Sequence, residues 1–338
     1  MKKILAVLLC LSMLIATSAC VAETAAQQPL KVALCIANTL GDLGFYDSAN
    51  EALNRLVAEY GVIPSVTECV SDGSRFEPAI VNAALENDVV IAVGWEFWTA
   101  LEDNVAALAE QRPDTKFIFI DNDLLIEGEG GKNLLSVIYS ENQGSFLAGY
   151  IAMKLAANKT IGVVGGEDQV TINNFIVGYK QGALYADPTG TVLDPVYTGT
   201  YDDTAQGLEA ALSLYGKGAD VVFQVAGKTG LGVFDAAKSE NKDAIGVDSD
   251  QKYYDPEHVV CSMQKLVGDS VYKIVSEYIT NGTFAGGTIW EADLSTGLVG
   301  IGYGDDAMTQ QVSAELKAEV EAIAQKIISG EIIVESTR

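Results

Sequence analysis

The chain contains 338 residues, of which 49% are hydrophobic, and its 46 acidic and 21 basic side chains give a formal net charge of −25. This is the composition of a folded globular protein, and the length suits two domains or lobes. The negative charge argues against nucleic-acid binding, and a single histidine, His258, without an HExxH or paired CxxC motif, argues against a zinc site or a Ser-His-Asp triad.

The N-terminal residues have the three regions of a secretory signal. A basic start precedes the apolar run 4–16, which is too short for a spanning helix, and small residues then lead to Cys20 in an arrangement similar to a bacterial lipobox. We predict a signal peptide over 1–19, lipid on Cys20, a linker over 20–28 and a location at the extracytoplasmic face of the cell membrane. The alternative is a cut nearby that releases a soluble exported protein, with Cys20 unmodified.

Three cysteines remain beyond this segment, namely Cys35, Cys69 and Cys261. They are far apart in sequence, and three cannot all pair. Cys35 and Cys261 lie in apolar runs, so we predict small buried hydrophobic residues rather than a disulfide framework.

The rest of the chain alternates short apolar runs with longer runs of helical period. In the first half we predict strands at Leu30–Ile36, Asp88–Val93, Lys116–Ile120 and Leu135–Ile138, with helices at Ser48–Tyr60 and Thr99–Gln111. In the second half we predict strands at Ile161–Val164, Val192–Tyr197, Asp220–Val225 and Ala244–Val247, with helices at Asn142–Ala157, Asn173–Tyr185, Ala205–Tyr215 and Leu231–Ser239. The predicted fold class is therefore α/β, with two doubly wound parallel-sheet lobes.

Sheets of this kind bind ligands beyond the carboxyl ends of their strands, where turns lead into helices. Aromatic and acidic side chains gather at these turns, which cover residues 37–47, 94–98, 121–123, 165–168, 201–203, 226–230 and 248–251. Aromatic faces and carboxylate acceptors suit a flat, polyhydroxylated ligand better than an anion.

Two of these turns have a structural interpretation beside the functional one. The sequence 227–229 resembles the end of a P-loop but lacks its upstream glycine, so we predict a tight turn at Gly227. That turn either brings a backbone amide to a ligand or serves chain geometry alone. Phe45 and Tyr46 either stack on a ligand or plug their own loop.

Alternatives remain open for the later polar residues as well. Of Asp248 and Asp250, one caps the turn that follows while the other faces a cleft. The alternative is that both lie in a solvated acidic loop. Lys265 bonds a ligand hydroxyl or balances a neighbouring carboxylate. Phe175 is assigned to the core face of a helix and left outside the site.

Several motifs, taken in order, resemble one family of bacterial lipoproteins. They are GDLGFYDSA at 41–49, FIFID at 117–121, ENQGSFLAG at 141–149, IGVVGG at 161–166, AGKTGLGVF at 226–234, IGVDSDQ at 245–251 and SMQK at 262–265. The resemblance is to the basic membrane protein family, which includes the purine nucleoside receptor that feeds ABC transporters.

The resemblance implies a type I periplasmic-binding-protein fold with three hinge crossings. One lobe would comprise residues 29–139 and about 266–292, the other residues 140–265 and about 293–338. The protein would close on a nucleoside, with purine favoured, and would perform no chemistry and need no cofactor or metal. Its partners would be that nucleoside, an ABC transporter permease and the membrane, and it would act as a monomer.

The resemblance also assigns roles to residues of this chain. Phe45 and Tyr201 would stack on the base from opposite lobes, and Asp121 would bond the base edge. Asp248 would accept from ribose hydroxyls and Lys265 would donate to the sugar.

The same resemblance adds backbone contacts at Gly227. This chain departs from the family at several positions: Asn38 lies near the place of the family's first Asp, Tyr46 stands where Asn is usual, Tyr201 stands where Phe is usual, and Lys228 adds a charge in the glycine turn. The predicted ligand-binding set is Asn38, Asp42, Phe45, Tyr46, Asp121, Tyr201, Gly227, Asp248 and Lys265.

Three rival functions remain at this stage. The first is a receptor for a sugar or another small polar metabolite on the same fold, since aromatic rings and carboxylates also suit pyranoses. The second is a nucleoside-processing enzyme that would use Asp121 or Asp248 as an acid or nucleophile. The third is a membrane-tethered sensor with no transported ligand.

Overall fold

The computed structural model describes residues 28–338. The predicted signal peptide, Cys20 and almost all of the predicted linker lie outside the described residues. No helix within residues 28–338 is both long and apolar enough to cross a membrane.

Strands and helices alternate along most of the described chain. The strands are β1 Lys31–Ile36, β2 Ile63–Glu68, β3 Val89–Val93, β4 Lys116–Ile120, β5 Leu134–Tyr139, β6 Thr160–Gly165, β7 Thr191–Val192, β8 Val196–Tyr197, β9 Val221–Val225, β10 Asp243–Asp248, β11 Val259–Lys265, β12 Thr288–Ala292 and β13 Val299–Gly302. The α-helices are α1 Phe45–Tyr60, α2 Phe76–Glu86, α3 Trp98–Gln111, α4 Glu141–Leu155, α5 Val170–Ala186, α6 Thr204–Gly216, α7 Leu231–Glu240, α8 Val267–Asn281 and α9 Ala314–Ile328.

The strands form two separate sheets. In the first, the order is β12-β5-β4-β3-β1-β2, and every neighbouring pair is parallel. In the second, the order is β13-β11-β10-β9-β6-β7, with β8 beside β6 and only the β11–β13 pair antiparallel. All five residues of β3 are buried, as expected for a central parallel strand covered on both faces.

The chain passes between the two sheets three times. It leaves the first sheet after β5, returns after β11 and leaves again after β12, so α8 packs on α1 in the first lobe and α9 on α4 in the second. The predicted fold class, two doubly wound lobes with three crossings, is confirmed.

The predicted elements are corrected in two ways. The elements β2 and α2, and after Lys265 also α8, β12, β13 and α9, were not predicted. The strand β2 lies at a sheet edge and most of its residues are exposed, so it lacks a continuous apolar run. The predicted strand Val192–Tyr197 is instead the two short strands β7 and β8, because Pro195 lies between them and has no amide hydrogen to donate. Cys35 and Cys261 are buried and free, as predicted.

The helices α4 and α5 pack so closely that side chains are excluded from their contact. A Cβ on Gly182 of α5 would overlap the carbonyl oxygen of Phe146, and one on Gly149 of α4 would overlap that of Tyr179. Because backbone atoms are the neighbours, no rotamer change can make room.

We therefore expect Gly182→Ala to destabilise the protein by about 1–3 kcal/mol, the usual cost of overpacking, despite alanine's better helix propensity. Gly216→Ala is the matched control, since Gly216 ends α6 with no atom within 4 Å of an added Cβ. Urea unfolding of both variants tests this. A Gly182→Ala midpoint equal to that of wild type would show that the helix contact is looser than described.

Candidate ligand-binding site

A cavity lies where the carboxyl ends of the two sheets face each other. All nine residues of the predicted ligand-binding set line it, namely Asn38, Asp42, Phe45, Tyr46, Asp121, Tyr201, Gly227, Asp248 and Lys265. The fold thus brings residues from six separate turns and strand ends to one place.

Two carboxylates reach the cavity from opposite lobes through the same backbone conformation. Asp121 directly follows β4 with φ +70°, and Asp248 ends β10 with φ +65°. Both angles lie in the left-handed region, which aspartate and asparagine tolerate better than other residues with a Cβ. The amide of Asp121 donates to the carbonyl oxygen of Val137 at 2.8 Å and so fixes the first of these turns.

Lys265, the last residue of β11, supplies a cation to both carboxylates. Its Nζ lies 3.0 Å from Oδ2 of Asp121, in the opposite lobe, and 3.8 Å from Oδ1 of Asp248. It also lies 4.6 Å from the ring centre of Phe45 and 5.2 Å from that of Phe175. Burial lowers the pKa of Lys265, but the surrounding carboxylates outweigh this and raise it above its ordinary value, so the ammonium stays charged.

Asp42 holds the loop that presents the aromatic pair. Its carboxylate accepts the backbone amides of Gly44 at 3.1 Å, Tyr46 at 2.9 Å and Asp47 at 3.1 Å, at the start of α1. Burial raises the pKa of Asp42, and these three hydrogen bonds oppose that shift. Asp42 lines the cavity, but its oxygens already have donors from the backbone.

Aromatic rings from both lobes form the cavity walls. Phe45 and Tyr46 lie edge to face with ring centres 5.1 Å apart, and Tyr201 packs over Gly166, where a Cβ would overlap its ring. Phe175 corrects the sequence interpretation: it is 2% exposed and belongs to the core, yet its ring also lines the cavity.

Four buried oxygen atoms of the cavity wall have no hydrogen-bond partner within residues 28–338. They are Oγ1 of Thr39, Oε2 of Glu96, Oδ1 of Asp121 and Oδ1 of Asp248. An unpartnered buried polar atom costs about 1–3 kcal/mol. Three of the four atoms belong to carboxylates, which only accept when they are ionised, so in that state the cavity suits a ligand that carries several hydrogen-bond donors.

A second ion pair, between Arg338 and Glu141, lies next to the pair formed by Lys265 and Asp121. Nη2 of Arg338 lies 3.0 Å from Oε1 of Glu141, at the start of α4, and 3.6 Å from Oδ1 of Asp121. The side chains of Asn174 and Gln181 bind the backbone of residues 335 and 337 and so hold this segment on α5. Burial raises the pKa of Glu141 to about 7, although the charge of Arg338 acts to lower it.

Gln251 joins the two lobes beside the cavity. Its Nε2 donates to the carbonyl oxygens of Asp42 at 3.4 Å and Leu43 at 3.3 Å in the opposite lobe. Its Oε1 accepts from the amide of Val247 at 2.9 Å and from Nε2 of Gln224 at 2.7 Å. The amide group of Gln251 is thus fully engaged, and it fixes the loop of Asp42 relative to β10.

Sequence reasoning missed Glu96, Phe175 and Arg338. Glu96 lies in a turn that was identified as a strand end, but nothing in its sequence position distinguishes it from a solvated carboxylate. Arg338 reaches Asp121 only through the path of residues 329–337 along α4 and α5, which no local pattern encodes.

The described residues offer little support for metal or triad chemistry. Nδ1 of His258 lies 3.1 Å from Oδ2 of Asp255, and neither residue lines the cavity. Across residues 28–338, no cluster of three or more His, Cys, Asp or Glu side chains is placed to hold a metal ion.

Comparisons with known proteins agree on one family. The family model described as Bmp, ABC transporter substrate-binding protein PnrA-like, matches residues 30–338. Basic membrane protein B of Borrelia garinii subsp. bavariensis is 32% identical over 312 residues, and the match covers 90% of this chain and 87% of that protein. Basic membrane protein A of Borreliella burgdorferi is 30% identical, and the match covers 91% of this chain and 88% of that protein. A solved ABC transporter solute-binding protein from Aeropyrum pernix K1 superimposes with a TM-score of 0.80 at 25% identity, covering 91% of this chain and 94% of that one.

The carboxylate of Asp248 makes stability depend on pH. Burial raises its pKa from 3.8 to about 7, although Lys265 opposes the shift. Between about pH 4 and pH 7 the folded protein therefore holds a proton that the unfolded chain has lost, so this group's contribution to stability falls as pH rises through that window.

We expect the free energy of unfolding of wild type, measured relative to Asp248→Asn, to fall by roughly 3 kcal/mol between pH 4 and pH 7 and to level off above pH 8. Urea unfolding of both proteins across this range is the measurement. Asp306→Asn, at an exposed loop position, is the control and should keep the pH dependence of wild type. A difference that stays constant with pH would show that Asp248 is ionised throughout.

Proposed function

Because the chain belongs to the Bmp family of PnrA-like ABC transporter substrate-binding proteins, we propose that it binds a nucleoside, with purine favoured, for uptake. Membership confirms the resemblance found in the motifs. Substrate-binding proteins of ABC transporters are extracytoplasmic, perform no catalysis and work with a ligand and a permease, so the enzyme rival is set aside.

One observation carries the nucleoside proposal, namely that aromatic faces and unpartnered carboxylate oxygens occur in the same cavity. A nucleoside has a flat apolar base and a sugar with hydroxyl donors, and each half would meet a wall of matching chemistry. Phe45 and Tyr201 line the cavity from opposite lobes and would stack on the base. The stacking energy and the hydrogen bonds then come from different parts of one ligand.

The charged side chains suggest which end of the cavity takes the sugar. Lys265 and Asp248 lie at the ends of the neighbouring strands β11 and β10, and they supply one donor and one open acceptor for ribose hydroxyls. Oδ2 of Asp121 bonds Lys265. Oδ1 lies 3.6 Å from Nη2 of Arg338 but has no hydrogen bond within residues 28–338, and it would accept from the ligand. The turn at Gly227, on the β9 side, supports a backbone contact to the sugar.

The nearest alternative is a receptor for a sugar or another small polar metabolite. It shares the carboxylates and the lysine but leaves much of the aromatic lining without a matching surface. The number of rings in the wall, which includes Tyr46 and Phe175 beside Phe45 and Tyr201, favours a ligand with a large flat apolar face.

Lipid on Cys20 is part of the same proposal, since a receptor tethered to the outer face of the membrane stays near its permease. The length of the linker 20–28 allows the folded lobes to stand clear of the surface. We also propose that the receptor acts as a monomer, as a two-lobed protein contains both halves of its cleft in one chain.

Thermal unfolding of the purified protein against purine and pyrimidine nucleosides, free bases, ribose and hexoses tests the proposal. A nucleoside at about 100 times its dissociation constant should stabilise the protein by roughly 2.7 kcal/mol, and ribose or free bases should do far less. Stabilisation by hexoses alone would favour the sugar receptor. No response to any compound would contradict nucleoside binding.

The matched variant is Asp248→Asn. Asparagine keeps the left-handed backbone at φ +65°, whereas alanine would add strain to the turn. Loss of the charged acceptor should weaken nucleoside binding by roughly 10- to 100-fold, the usual effect for a hydrogen bond to a charged group. Asp306→Asn, outside the cavity lining, should bind as wild type does, and equal affinity in the two variants would remove Asp248 from the site.

A further inference from the structure

We propose that Glu96 selects the base, by accepting the N–H donors of a 6-oxopurine, so that the protein prefers inosine and guanosine to adenosine. This inference rests on the proposed nucleoside function. It concerns a residue that neither the motifs nor the predicted ligand-binding set includes.

Glu96 is held in the cavity wall by the turn that follows β3. Its Oε2 is buried and has no hydrogen-bond partner among the residues that the structure describes. Gly94 makes room for it, because a Cβ there would lie 2.5 Å from Oε2 and the glycine has φ +119°. The cavity wall therefore contains one oxygen of Glu96 that no described residue bonds.

The charged groups around Glu96 do not compensate its charge. Its carboxylate senses those of Glu167 and Asp121, and burial together with these like charges raises its pKa to about 7. Of the two lysines in the cavity lining, Lys265 is bonded to Asp121 and Lys228 lies 2.7 Å from Asp202. A backbone amide already bonds the Glu96 carboxylate, so the oxygen that a ligand donor would bond is Oε2.

Strand order separates Glu96 from the proposed sugar end. In the first sheet β4, β3 and β1 lie side by side, so Asp121, Glu96 and then Asn38 follow one another along the sheet edge. Lys265 contacts Asp121, at the β4 end of this row. Glu96 therefore lies farther from the lysine, where the base would extend if the ribose binds Asp248 and Lys265.

The two kinds of purine present different groups to a carboxylate. A 6-oxopurine carries hydrogen on N1, and guanine adds an amino group beside it, so both can donate to Glu96. Adenine presents an unprotonated N1, whose lone pair would repel a carboxylate oxygen at that position, and its donor on this edge is the 6-amino group, which occupies the place of the 6-oxo group. A site built to bond the hydrogen on N1 disfavours the analogue that lacks it, because an acceptor aimed at N1 is left unpaired.

Isothermal titration of the purified protein with inosine, guanosine and adenosine at pH 8, where the Glu96 carboxylate is mostly ionised, tests this. Wild type should bind inosine and guanosine at least about tenfold more tightly than adenosine. Glu96→Gln offers both a donor and an acceptor, so the ratio of adenosine to inosine affinity should change by at least about tenfold toward adenosine.

Two further variants keep the result interpretable. Glu167→Gln removes the neighbouring carboxylate, which does not line the cavity, and should keep the preference of wild type. Glu96→Asp withdraws the carboxylate by one methylene and should weaken inosine binding without strengthening adenosine binding. Thermal unfolding without ligand checks that each variant is folded.

The outcomes separate this inference from the proposed function. Equal wild-type affinity for adenosine and inosine, or an unchanged ratio in Glu96→Gln, would overturn the role of Glu96 while nucleoside binding stands. Failure of wild type to bind any of the three nucleosides would contradict the proposed function itself, and the role of Glu96 with it.

Discussion

The salt bridge between Lys265 and Asp121 joins the end of β11 in one lobe to the end of β4 in the other, within the cleft. Both side chains are almost fully buried, at 3% and 8% exposure. Desolvation offsets most of the attraction in such a pair, so its net stabilisation is small, but loss of one partner typically costs about 3–5 kcal/mol. The pair therefore acts mainly by fixing how the two sheet edges face each other, and the geometry of the cavity follows from that alignment.

The cavity carries more buried carboxylates than cations, and this imbalance links the fold to ligand binding. Asp121, Asp248 and Glu141 share Lys265 and Arg338, while burial raises the pKa of both Asp248 and Glu141. Within residues 28–338, one oxygen of Asp121 and one of Asp248 remain without a hydrogen bond. Ligand donors would lower the free energy of the closed arrangement by bonding these oxygens, which would couple closure of the lobes to binding without any catalytic step.

Local patterns in the sequence predicted much of this structure, because parallel strands are apolar runs and their carboxyl ends carry the polar turns. Asp121 and Asp248 were found in this way, since each directly ends a buried strand. The edge strand β2 has no such run, and Pro195 divides what looked like one strand. The positions of Glu96, Phe175 and Arg338 in the cavity depend on tertiary contacts that no local pattern shows. The Glu96 carboxylate lies against Gly94, and the ring of Phe175 belongs to the core but also lines the cavity. Arg338 arrives through a C-terminal segment that packs on α4 and α5. The role of each predicted site residue in binding stays a prediction.

The most direct measurement is a crystal structure of the protein grown with inosine. We predict the base between Phe45 and Tyr201, with a ribose hydroxyl within hydrogen-bond distance of Asp248 and with the Lys265–Asp121 salt bridge intact. A nucleoside bound elsewhere, or a cleft that excludes inosine while the lobes keep this arrangement, would contradict the account.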